Sequence, residues 1–122
     1  MGPGQLQALG QRFARNDNIT TLGAMPDLRF AWDARKNAAN KEKHGISFEE
    51  AQTVFYDDRA LLLEDPDRSD VEDRLILLGM SATLRILVVC HCYREEDAVI
   101  RIISARKADR FERKDYEQRW RR

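Results

Sequence analysis

Two short stretches carry most of the side chains able to work on a phosphate ester. Lys41-Glu42-Lys43-His44-Gly45 sets two lysines and a histidine at one turn, and Arg101-Ile102-Ile103-Ser104-Ala105-Arg106-Lys107 alternates arginine with apolar residues before a second basic run. Arg74 and Arg94 lie between them. Cutting RNA through its own 2′-hydroxyl requires a base for the hydroxyl proton, cations for the charge growing on phosphorus, and an acid for the departing 5′-oxygen. Histidine titrates near neutrality. Arginine grips phosphate with parallel N–H bonds, while lysine supplies a point charge and a mobile proton. Taken singly, each of these residues reads as an ordinary surface charge. Tyr93 and Tyr116 could stack on a base or pass a proton, although Tyr116 also suits helix packing.

Other chemistries find little support. Cys90, His91 and Cys92 are adjacent on an apolar run that reads as a strand, so alternation turns both thiols one way and the imidazole the other. The three then fail to converge on one ion, and His91 is expected to be a partly exposed strand residue. The thiols are expected buried and free, which suits a reducing cytosol. Neither a Ser-His-Asp motif nor a phosphate-cradling glycine loop is present. We therefore expect no metal and no cofactor.

The elements that must hold these residues follow from caps and periodicity. Leu28 to Asp33 reads as a strand, and Asp33 can cap a helix over Ala34 to Lys43 that stops at Gly45. Ser47 and Glu50 form a capping box for a second helix, with Phe48, Ala51, Val54 and Phe55 as its buried stripe. Four strands are expected next: Ala60–Glu64, Asp73–Met80, Leu84–Tyr93 and Ala98–Ala105. Their short connections favour antiparallel neighbours. A final helix runs from Lys107 to Trp120, and the Arg119-Trp120-Arg121-Arg122 tail mixes basic and aromatic side chains as nucleic-acid contacts do. The expected fold class is α+β: an antiparallel meander sheet with two N-terminal helices and one C-terminal helix packed on one side of it.

At 122 residues there is room for one compact domain. Residues 1–24 are rich in Gly, Gln and Asn without a sustained period and read as a flexible extension or remnant; residues 25–122 read as the single domain. No apolar run approaches the ~20 residues that span a bilayer, and a secretory signal is lacking, so a cytoplasmic location is expected. The net charge of zero hides segregation. Between Arg35 and Lys43 four basic residues meet one acidic one, whereas Asp57 to Asp73 holds eight acidic and two basic residues. A basic face is therefore compatible with a neutral total.

Phe30-Ala31-Trp32-Asp33, the run from Asn40 to Ala51 with Val54-Phe55-Tyr56-Asp57, Glu72-Asp73-Arg74, and Arg101 to Ala108 with Glu112 and Tyr116 together resemble the BrnT family of bacterial toxins, block by block and in order, over about residues 28–118. The resemblance implies a RelE-like fold and a metal-independent endoribonuclease that inhibits translation. It implies as partners an RNA substrate and a BrnA-like ribbon-helix-helix antitoxin, in a heterotetramer that reaches promoter DNA through the antitoxin, with no membrane contact. On this analogy the catalytic candidates are Lys43, His44, Arg74 and Arg106. Lys43 or His44 would transfer protons and the arginines would hold phosphate; Lys41, Arg94, Arg101 and Lys107 are the RNA-binding candidates. The alternative is a non-catalytic domain that binds RNA or protein.

Overall fold

The computed structural model describes residues 28–65, 74–94, 96 and 98–120, without the Trp120 side chain. The expected extension over residues 1–24, the turn after Asp65, and Arg121-Arg122 lie outside the described residues. The elements are β1 (Arg29–Ala31), α1 (Ala34–His44), α2 (Phe48–Thr53) running into one 3-10 turn (Val54–Tyr56), β2 (Leu61–Glu64), β3 (Leu75–Met80), β4 (Ile86–Arg94), β5 (Val99–Lys107) and α3 (Arg110–Trp120).

The five strands form one sheet in the order β1-β5-β4-β3-β2. β2 to β5 are antiparallel neighbours, as their short connections require. β1 is not part of that meander. It lies parallel to β5, with Ala31 opposite Arg101, so the sheet is mixed rather than antiparallel throughout. Connection length constrains only successive strands; β1 is separated from β2 by two helices, which carry the chain across the sheet and leave β1 beside the last strand.

Alternation along the strands builds two cores. Leu62, Leu77, Leu87, Val89, Ile100, Ile102 and Ala105 meet Ile46, Phe48, Ala51, Val54 and Phe55 on one side. Leu78 and Val88 meet Ala108 and Tyr116 on the other. The helices therefore occupy both faces, contrary to the one-sided expectation: α2 covers one and α3 the other. Full burial of side chains such as Phe48 and Leu77 is worth ~1.5–3 kcal/mol each. Because β4 is covered on both sides, His91 is completely buried rather than partly exposed, edge-on to Phe55 at 4.8 Å. Cys92 is buried, while Cys90 is only half-buried.

The caps explain where the helices begin and end. Asp33 accepts from the amides of Arg35 and Lys36 at 2.8 and 3.2 Å, and Gly45 closes α1 at φ +72°. Ser47 accepts from the Glu50 amide at 3.0 Å. The Glu50 carboxylate does not complete the expected box; it turns to Arg85, Ser81 and Thr83 instead. α3 starts at Arg110 rather than Lys107, because Lys107 still pairs with Leu87 in the sheet. There the reciprocal box is Asp109 with Glu112, each accepting the other's amide at 2.8 Å.

One glycine matters for packing. A Cβ on Gly79 would lie 2.8 Å from the Ala60 Cβ and 2.9 Å from Val54 Cγ1, so its absence lets the 3-10 turn seat on β3. Asp57, just beyond that turn, accepts from the Met80 amide at 2.8 Å and the Tyr116 hydroxyl at 2.6 Å, fastening α3 to the end of the sheet.

Candidate active site

α1 ends on Lys41, Lys43 and His44, three basic side chains at the negative end of the helix dipole. The two lysines are exposed and the histidine is half-buried. Two asparagines fix this turn in space. Asn37 accepts from the Phe48 amide at 2.8 Å and donates to Glu49 at 3.0 Å, tying α1 to the start of α2. Asn40 is buried and donates to the carbonyls of Ile46 and Ala105, both at 2.8 Å, while accepting from the Ala105 amide at 3.1 Å. Side chains of α1 thus hold Ile46, Phe48 and Glu49 just beyond the turn.

A third hold comes from the β3–β4 hairpin. Arg85 donates from Nη2 to the Gly45 carbonyl at 3.3 Å. It also grips the Glu50 carboxylate with Nε at 2.9 Å and with Nη2. Ser81 and Thr83 hydroxyls donate to the same carboxylate at 2.7 and 2.5 Å. The Arg85 hydrogen bonds, outweighing burial, pull the Glu50 carboxyl down to about 2.

β5 ends at the same hairpin. Lys107 stands opposite Leu87, and the Ala108 amide donates to the Ile86 carbonyl at 2.9 Å. Arg106, opposite Val88, turns to the α3 face and donates to Glu112 with both Nη atoms at 2.9 Å. That pair keeps the Glu112 carboxyl below its usual value and raises the guanidinium. Arg85 and Arg106 therefore flank the sheet end, each held in a fork by a glutamate.

The sheet register divides the predicted residues. Lys41, Lys43 and His44 end α1, which Asn40 ties to Ala105, while Arg106 and Lys107 end β5, with Arg106 on the α3 face. Arg101 pairs with Cys92 and Arg94 with Val99, and Arg74 precedes the Leu75–His91 pair, so these three lie toward the opposite end. Val88 and Cys92 lie four residue steps apart along β4, or ~13 Å at the strand rise. The structure does not bring all eight candidates to one point. Tyr116 is buried and spent on Asp57, and half-buried Tyr93 packs against the first core.

The Cys-His-Cys trio is used within the fold. The Cys90 thiol donates to Asp65 at 3.4 Å and is pushed up to about 11 by burial and that carboxylate, which makes it a poor nucleophile. His91 Nδ1 lies 3.2 Å from the Val89 carbonyl. Sequence reasoning passed over Arg85, Asn40 and Glu112 as parts of the site. Only Glu112 carried a local signal, the Asp-x-x-Glu spacing; the partners of Arg85 and Asn40 lie 35 and 65 residues away.

Comparison with known proteins gives the following. A family model described as ribonuclease toxin, BrnT, of type II toxin-antitoxin system matches residues 32–112. The crystal structure of the Brucella abortus ribonuclease toxin, BrnT, superposes with a TM-score of 0.52 at 24% identity, covering 69% of this chain and 100% of that one. No curated protein matches.

Proposed function

The chain belongs to the BrnT family of ribonuclease toxins of type II toxin–antitoxin systems, and on that premise we propose that its active surface is the hairpin end of the sheet, around His44. As a toxin of this kind it acts on RNA and is paired with an antitoxin. Our reading is that it cleaves without a metal, by attack of the substrate's own 2′-hydroxyl, and so inhibits translation. His44 or Lys43 transfers the protons, and Arg106 with Lys41 and Lys107 holds phosphate. Arg74, Arg94 and Arg101 meet the same strand farther along the sheet. The observation that carries this is the fixed turn after α1, where Asn40 and Arg85 hold the Ile46 and Gly45 carbonyls directly after Lys41, Lys43 and His44, with Asn40 also bonded to Ala105 of β5. Such preorganisation is what a site stabilising developing charge requires.

The proposal extends to the partner and the setting. The antitoxin is BrnA-like, with a ribbon-helix-helix domain that carries the complex, a heterotetramer, to promoter DNA. Residues 25–122 form the toxin domain, residues 1–24 lie outside it, and the protein works in the cytoplasm. Among the described residues no helix is long and apolar enough to cross a membrane.

RNA cleavage by the purified chain in EDTA, beside His44→Ala and Lys43→Ala, tests the site and the chemistry together. Cleavage by the wild type, lost in at least one folded variant, is the expected result. Undiminished cleavage by both single variants and by the double variant would move the site elsewhere. Cleavage that stops on adding EDTA would overturn metal independence.

A further inference from the structure

Arg85 has no assigned role in catalysis, yet its guanidinium is held from behind. Three of its five N–H groups are committed: Nε and one Nη2 proton to Glu50, the other Nη2 proton to the Gly45 carbonyl. Nη1 makes no hydrogen bond within the described residues. The Arg85 side chain is 35% exposed while that of Glu50 is 12% exposed, so the carboxylate sits inside and the guanidinium outside. Glu50 is itself fixed by Ser81 and Thr83, which leaves the fork little freedom to turn away. The carbonyl it grips belongs to the residue after His44.

We propose that Arg85 is a phosphate-contacting residue for the RNA substrate: it offers Nη1 to a phosphate oxygen beside His44, and Glu50 positions it. This rests on the hairpin end being the active surface. A salt bridge serving only to join α2 to the hairpin needs neither the outward guanidinium nor the grip on Gly45. A planar fork already immobilised by a carboxylate loses little freedom when phosphate binds its open edge.

The probe is a short RNA oligonucleotide carrying 2′-O-methyl groups throughout, which binds but lacks the attacking hydroxyl. Its affinity is measured against salt for the wild type, Arg85→Gln, Arg85→Lys and Arg113→Gln, the last removing an equal charge from exposed α3. Each phosphate contact on a single strand contributes a log–log slope of ~0.7. Arg85→Gln is expected to lose about that much slope, while Arg85→Lys and Arg113→Gln keep the wild-type value. An unchanged slope in Arg85→Gln, or an equal loss in Arg113→Gln, overturns the contact. Should Arg85→Gln not fold, the Arg85 side-chain NMR resonances of the wild type decide: they shift on adding the oligonucleotide, and no shift overturns the proposal. Salt-insensitive binding by the wild type would instead overturn the basic active surface on which the proposal rests.

Discussion

The side chain of Asn40 pairs with the backbone of Ala105 as a neighbouring strand would, giving one hydrogen bond to its carbonyl and taking one from its amide. β1 reaches only as far as Arg101 along β5. Beyond that point Asn40 supplies the missing edge partner, and its second amide proton reaches the Ile46 carbonyl. A helix is thereby docked on a sheet by a mimic of sheet pairing.

Removing that mimic strands buried backbone groups, each costing about 1–3 kcal/mol. Asn40→Ala is expected to lower urea-unfolding stability by about 2–4 kcal/mol at pH 7. Asn40→Asp should lose at least as much, because a carboxylate there faces two carbonyl oxygens in place of donating to them. An Asn40→Ala protein as stable as the wild type would contradict the assigned role.

His91 makes stability sensitive to acid. Burial lowers its pKa from 6.5 to about 4, so the folded chain holds it neutral. As pH falls below 6.5 the unfolded state binds the proton first, and stability declines down to about 4, where the folded state protonates too. At 1.36 kcal/mol per unit the loss is on the order of 3 kcal/mol. His91→Phe, stacked on Phe55, should flatten the profile between these two values. Melting temperatures measured across that range check it; a profile as steep as the wild type's would assign the acid sensitivity to other groups.

Glu112 serves α3 and Arg106 together. Glu112→Gln keeps an oxygen for the Asp109 amide but loses the charge that aligns the guanidinium. Stability should fall by less than about 1 kcal/mol, since the cap is largely retained. Cleavage should fall about tenfold or more through misalignment of Arg106. Single-turnover rates beside thermal melts separate the two effects, and a variant that melts early yet cuts normally would leave Glu112 a capping residue alone.

Much of the frame was legible because its causes are local. Asp33, Gly45 and Ser47 mark the ends of the first two helices, and the turns between β2 and β5 announce the hairpins. The place of β1 was not legible, since its partner is 70 residues away, Arg29 against Val99. α3 begins three residues later than expected, at Arg110, although Asp109 and Glu112 spell out its start. Candidate basic residues were readable from type and spacing. Their division between two ends of the sheet was not, because it depends on the β4–β5 register, and no spacing within one strand reveals which residue of another lies opposite.

The pairing of Asn40 with Ala105 also orders events during synthesis. β2 to β5 can pair as successive hairpins while the chain is being made, but β1 and α1, though translated earlier, have no place to dock until β5 has emerged. The turn that carries Lys43 and His44 is therefore among the last parts to be set in place. Under the proposed assignment, a chain that has not yet made β5 lacks an ordered active surface.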